Sequence, residues 1–176
     1  MRCVMPRQLR HEGLRPLGPM AISEGMPPVQ KPGRSEQVVQ TPADFMAAVV
    51  RRFGPMSYDL AASKENAKAP AWLDEQTDSL ATNWGGLRGN CWLNPPFAGI
   101  GLWAEKCART VGPAIFLLVP ASVGSNWYAD WVERQAEVHF LNPRLTFVGH
   151  DHAFPKDLML CVYGLGCGSP KVWRWR

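Results

Sequence analysis

An α/β fold on an open, mostly parallel sheet, with an antiparallel hairpin at its C-terminal edge, is the class this sequence predicts. Three observations carry it. Apolar runs of strand length alternate with helically spaced apolar residues from Thr41 onward. One run, AIFLLV at 114–119, is apolar throughout, as a strand covered on both faces requires. Two further runs, RLTFVG at 144–149 and LMLCVYG at 158–164, flank a polar His/Asp/Pro loop and read as an antiparallel pair.

Residues 1–36 lack periodicity and are dotted with Pro and Gly (PLGPMAISEGMPPVQKPGRS), the composition of a flexible leader. They hold six Lys/Arg against three Asp/Glu, so they are basic, and they lack the apolar core of a secretory signal. Met20 and Met26 leave a later translation start open. A single folded domain is expected over 37–176. Order begins at Thr41-Pro42-Ala43-Asp44, which offers a capping hydroxyl, a proline at the first helical position and an acid at the third. Phe45, Met46, Val49, Val50 and Phe53 then recur at helical spacing until Gly54-Pro55 ends the helix. MSYDLAA at 56–62 predicts a short strand entering a loop, and 63–89 a polar, irregular stretch with a short helical turn or two. Cys91-Trp92-Leu93 is the next strand.

After it, Ile100, Trp103, Ala104, Cys107, Ala108 and Val111 make one continuous apolar stripe along a helix. AIFLLV follows, then a helix over Trp127–Arg134 capped by Ser125, then EVHFL at 137–141 and the two hairpin runs. Trp103 and Trp127 fall on apolar helical faces and are expected in the core.

Of the net charge of +4, residues 37–176 supply only +1, thirteen Lys/Arg against twelve Asp/Glu. A polyanionic partner would therefore be met by a local patch rather than by a uniformly basic body. No apolar run approaches the ~20 residues of a membrane helix. The five cysteines are odd in number and form no C-x-x-C pair, which predicts reduced thiols and a cytoplasmic protein. His150-Asp151-His152 has no further ligand at metal-binding spacing and reads as solvated loop; no metal is expected.

The informative stretch is CWLNPPF at 91–97. Proline cannot donate to a sheet ladder, so Asn94-Pro95-Pro96-Phe97 stands where a strand stops, directly before a helix. In open α/β sheets that is where ligands bind. These residue types suit methylation of an exocyclic amine. Such an amine is a poor nucleophile because its lone pair is delocalised into the ring. Two acceptors, the Asn94 side-chain oxygen and the Pro95 carbonyl, would localise that lone pair, with the prolines holding the geometry. Phe97 offers a face for an extruded base. Asparagine rather than serine at this position leans toward adenine N6 or a protein amide.

TPADFMAAVVRRFG, YDLAASKENAKAP, DSLATNW, NCWLNPPFAGIGLWAEKCA and RLTFVGHDHAFPKDLMLCVYG, in that order, resemble the phage-type, Dam-like DNA N6-adenine methyltransferases. The resemblance implies a Rossmann-like fold, S-adenosylmethionine as methyl donor, double-stranded DNA as partner and a phage or prophage gene acting in the bacterial cytoplasm. By the same resemblance Thr41-Pro42 would touch the methionine end of the cofactor, and Asp59 would be the acid of the cofactor loop. Asp78 would contact the adenosine part, and Asn94 to Phe97 would form the catalytic tetrapeptide. Ala61-Ala62-Ser63 stands where methyltransferases generally carry a glycine-rich turn. A protein-glutamine or RNA methyltransferase remains an alternative, because NPPF also serves planar amides; so does a catalytically inactive DNA-binding relic. Target reading would fall to loops 98–101 and 149–157, with Arg88, Arg144 and Lys156 as candidate phosphate contacts and VWRWR as an edge-strand tail.

Overall fold

The computed structural model describes residues 39–176, so the predicted leader at 1–36 lies outside the described residues. The strands are β1 (Met56–Asp59), β2 (Ala71–Trp72), β3 (Asn90–Leu93), β4 (Ala114–Pro120), β5 (Glu137–Asn142), β6 (Leu158–Tyr163) and β7 (Lys171–Arg174). They form one sheet in the order β2-β1-β3-β4-β6-β5-β7. Pairings β1–β2, β1–β3, β3–β4 and β5–β7 are parallel, and only β6 runs against its neighbours, between β4 and β5. Among the described residues three α-helices accompany the sheet: α1 (Ala43–Phe53), α2 (Ile100–Arg109) and α3 (Asn126–Trp131). No helix of the described residues is long and apolar enough to cross a membrane.

The mostly parallel α/β class with a C-terminal antiparallel pair is as predicted, but the pair is EVHFL with LMLCVYG and lies inside the sheet. RLTFVG is loop, and LMLCVYG is an interior strand rather than an edge. The physical reason is legible afterwards. Leu145 and Phe147 are buried because they pack on the sheet face that carries α1, not because their backbone joins a ladder. Their segment bonds elsewhere, with Val148 N–H donating to Gln40 O at 3.0 Å and Phe154 N–H to Leu145 O at 2.7 Å. All six residues of β6 are buried, the mark of a strand flanked on both edges and covered on both faces.

Strand alternation divides the core in two. On β4, Phe116 and Leu118 join Phe45, Met46 and Val49 of α1, while Ile115, Leu117 and Val119 face Ala104 and Cys107 of α2. On β6, Leu160 and Val162 take the first side, Met159 and Cys161 the second. Cys91, Cys107 and Cys161 are thus buried free thiols, and Cys167 is exposed.

Helix ends depart from the sequence reading. α1 is capped by position at Pro42, not Thr41, because the Thr41 hydroxyl is engaged elsewhere. Asp44 instead accepts from Phe45 N–H at 2.8 Å within the first turn, where a negative charge suits the helix dipole. The stripe of α2 stops before Val111, which follows the helix and is 86% exposed. α3 ends at Trp131, short of Arg134, whose φ of 60° is incompatible with a right-handed helix. Ser125 is its N-cap residue, yet its hydroxyl donates to Ser122 O at 2.6 Å rather than capping.

Candidate active site

β1 sends the chain to β2 on one side, while β3 lies on its other side, so the carboxyl ends of β1 and β3 flank the point where strand order reverses. A crevice is expected there. A cavity of about 920 Å³ occupies it, at the upper end of the range for small-molecule sites. Asp59 closes β1 and Asn94 follows β3, both on its wall; the 61–68 loop, residues after β2, Thr41 and Trp103 complete it.

Asn94 is oriented without ambiguity. Its Nδ2 donates to Val39 O at 2.8 Å and to Thr41 Oγ1 at 3.3 Å. A main-chain carbonyl can only accept, so the nitrogen must face Val39 and the oxygen must face away. That oxygen, Oδ1, is shielded from solvent and has no hydrogen-bond partner. An orphaned buried acceptor costs roughly 1–3 kcal/mol, a cost relieved when a donor arrives.

The rest of the tetrapeptide divides. Pro96 lines the cavity; Pro95 is buried and Phe97 half-buried, and neither is on the cavity wall. The Phe97 ring meets Phe154 edge-on, with centroids 5.7 Å apart, and Phe154 meets Phe147 likewise at 5.4 Å. Phe97 is therefore backed by the 143–157 loop instead of standing free.

Every cofactor position expected from sequence lines the cavity except Pro42. Thr41 is 1% exposed and Asp59 3%. Asp59 Oδ2 accepts from Lys68 N–H at 2.9 Å and Oδ1 from Ala61 N–H at 3.3 Å, so this carboxylate organises the loop that replaces a glycine-rich turn. Burial pushes its pKa above the ordinary aspartate value, and the two N–H donors oppose that. Ala62 N–H donates to Leu73 O at 3.0 Å, tying the same loop to the segment after β2. Asp78 is left-handed, with φ 44°, and its Oδ1 accepts from Ala81 N–H at 3.3 Å. It thus starts a turn and lines the cavity at once. Beside it the Ser79 hydroxyl is buried without a partner.

Sequence reasoning missed several contributors. Val39 holds Asn94 through its backbone, which carries no side-chain signal. Glu65, Asp74 and Glu75 join Asp59 and Asp78 on the wall, against Lys64 and Lys68, giving an acid-rich lining. Trp103, expected in the core, is half-buried on that wall and stacks on Trp84 with centroids 6.3 Å apart. Trp127 is likewise only half-buried. Of the candidate phosphate contacts, Arg88 precedes the amino end of β3, the end of the sheet away from Asn94. Arg144 is occupied by Asp157 at 2.7 Å and Pro155 O at 3.3 Å, closing the base of its own loop. Lys156 is exposed on that loop.

Comparison with known proteins bears on this geometry. The family model described as DNA N-6-adenine-methyltransferase (Dam) matches residues 30–158. A DNA N-6-adenine-methyltransferase of Escherichia phage T1 is 28% identical over 108 residues, 60% of this chain and 45% of that protein. The chain thus spans less than half the length of this curated relative. A solved structure, a predicted O-methyltransferase from Agrobacterium tumefaciens, is 16% identical over 48% of this chain and 38% of that one, with a TM-score of 0.27. That likeness is too weak to bear on fold or function.

Proposed function

The chain belongs to the DNA N-6-adenine-methyltransferase (Dam) family, and on that premise we propose that it methylates the N6 amine of an extruded adenine in double-stranded DNA, using S-adenosylmethionine. The observation that carries the reading is the Asn94 oxygen: an acceptor fixed in direction, shielded from solvent and unpaired, on a residue that lines the cavity at the switch point of the sheet.

The residues present fit the cofactor. A sulfonium and an ammonium are cations, which an acid-rich lining favours, and Lys64 and Lys68 offer partners for a carboxylate. The unpaired Ser79 hydroxyl adds a hydrogen-bonding group beside Asp78, at the position assigned to the adenosine part. When bound, S-adenosylmethionine supplies an electrophilic methyl group. The chain supplies orientation. Asn94 Oδ1 accepts one amine hydrogen and the Pro95 carbonyl the other, which draws the nitrogen lone pair out of conjugation and directs it. The two prolines keep that carbonyl from reorganising during the reaction. Phe97, braced by Phe154, presents a ring to the extruded base. The amine proton departs after transfer, so no general base with a tuned pKa is required. Because Oδ1 is shielded from solvent, entry of a base must displace part of its cover.

The Rossmann-like methyltransferase fold, the boundary of the catalytic domain near residue 37 and a phage or prophage origin within a bacterial cytoplasm belong to the same proposal. The relative from phage T1 supports the origin. Against a catalytically silent relic stands the cavity itself, which keeps Asn94 together with Thr41, Asp59 and Asp78 on its wall. The test is direct. Incubation with labelled cofactor and plasmid DNA, followed by digestion to nucleosides, yields label in N6-methyl-deoxyadenosine; label in protein or in cytosine defeats the reading.

A further inference from the structure

Residues 39–41, ahead of the Pro42 cap of α1, do more than lead into a helix. An asparagine amide has two hydrogens on Nδ2. In Asn94 one goes to the Val39 carbonyl at 2.8 Å and the other to the Thr41 hydroxyl oxygen at 3.3 Å. Both donors of the amide are thus committed to one short segment, 55 and 53 positions away in the chain. Gln40, between these two, accepts Val148 N–H at 3.0 Å through its own carbonyl. Val148 sits in the same 143–157 loop that carries Phe154, the ring set against Phe97. One segment therefore connects the amide to the loop that backs the aromatic ring.

The physical need for two anchors lies in the torsion that turns the amide plane. In asparagine this is a single-bond rotation next to a planar group, with a broad energy profile instead of three sharp wells. One hydrogen bond leaves the plane free to swing, and Oδ1 swings with it. Two bonds to groups on one segment set the plane. Since misplacing a reacting group by a fraction of an ångström is enough to slow a reaction, the second anchor bears on rate rather than on substrate binding. Thr41 is 1% exposed, so its hydroxyl does not exchange this role for water.

We infer that Thr41 is a positioning residue, whose hydroxyl aims the Asn94 oxygen, and that residues 39–41 transmit the placement of the 143–157 loop to that amide. The inference rests on the adenine-methylation reading and reassigns Thr41, expected from sequence to touch the cofactor, to the catalytic amide.

The full chain serves for the test, with S-adenosylmethionine affinity read by calorimetry and single-turnover formation of N6-methyl-deoxyadenosine on plasmid DNA. Thr41→Val keeps the shape and removes the hydroxyl; it is expected to slow transfer about tenfold while cofactor affinity stays within about twofold. Thr41→Ser restores the rate to within about threefold of wild type, since the oxygen returns. Adding Thr41→Val to Asn94→Ala costs nothing more, because the group it positions is gone. Val148→Pro deletes the N–H that reaches Gln40 and slows transfer roughly fivefold, whereas Val148→Ala, which keeps it, does not. Normal turnover in Thr41→Val, or a tenfold loss of cofactor affinity with an unchanged rate, overturns the positioning role. Equal rates for the two Val148 variants overturn the link to the loop. A wild-type protein that is inactive at saturating cofactor defeats the parent reading and the positioning role with it. An active wild type with an indifferent Thr41→Val defeats the positioning role alone.

Discussion

Replacing Asn94 with alanine separates stability from chemistry, because the side chain makes two kinds of contact. The Nδ2 bonds to Val39 O and Thr41 Oγ1 are made in the folded protein whether or not substrate is present. Truncation leaves the Val39 carbonyl without that donor, a cost of about 1–3 kcal/mol in folding. Set against the roughly 5–15 kcal/mol by which domains are stable, the variant still folds. Oδ1, by contrast, has no partner in the folded protein, so its removal relieves a desolvation cost there and the loss of its hydrogen bond is felt only when the amine arrives. Removing one preorganised partner of a transition state costs about 2.7–4 kcal/mol, a fall in turnover of roughly a hundred- to a thousandfold. Single-turnover incorporation of labelled methyl into plasmid DNA measures the fall, and calorimetry with S-adenosylmethionine checks that the cofactor side is intact. Asn94→Asp sharpens the result. It retains an acceptor but places a carboxylate oxygen where Nδ2 met the Val39 carbonyl, so the side chain is repelled from its anchor and the rate stays low. Turnover of Asn94→Ala within about threefold of wild type would refute the reasoning, since the loss of a single such partner is worth far more.

Phe97→Ala is expected to weaken DNA handling, and Phe97→Tyr to preserve it, as read by the KM for plasmid DNA; equal losses in the two variants contradict a stacking role. Asp59→Asn places an amide hydrogen against the N–H donors of Ala61 or Lys68, loosening the 61–68 loop; calorimetry should show cofactor affinity falling roughly tenfold, and unchanged affinity removes Asp59 from the site. His139 concerns stability instead. It is wholly buried against Phe53 and Trp173, and its Nε2 lies 3.2 Å from Glu137 but off hydrogen-bond alignment. Burial pushes its pKa down from 6.5 to about 4, with Glu137 opposing. An unfolded chain takes up the proton near 6.5 and the folded one only near 4, so stability falls as pH drops through that window. Relative to His139→Leu, wild type should lose about 2 kcal/mol between pH 7 and pH 5 in urea unfolding; parallel pH profiles for the two proteins would show that the imidazole is not the cause.

How much of this was legible in the chain depends on whether the signal was local. The AIFLLV run, the stripe of α2 and the stop at Asn94-Pro95 are local patterns, and each produced the element expected. Asn94 stands out because a polar residue that ends an apolar strand is conspicuous, whereas Asp59 was pointed to by the family resemblance. RLTFVG failed for the opposite reason. Its apolar residues are buried by a distant surface, and burial alone does not distinguish a strand from a loop pressed on a sheet. The edge position given to LMLCVYG failed similarly, since strand order is a relation between segments far apart in the sequence.

What the sequence by itself determined is therefore the mostly parallel α/β class, the places where β1 and β3 stop and the polar residue types placed there. Only the tertiary structure decided which way Asn94 points, that Thr41 serves its amide instead of capping α1, and that Phe97 is braced by Phe154. The physical reason is that a hydrogen bond or a ring contact is set by distance in space. Apolar periodicity reports which face of an element is buried, but it contains no information about which partner fifty residues away will meet the polar group at its end.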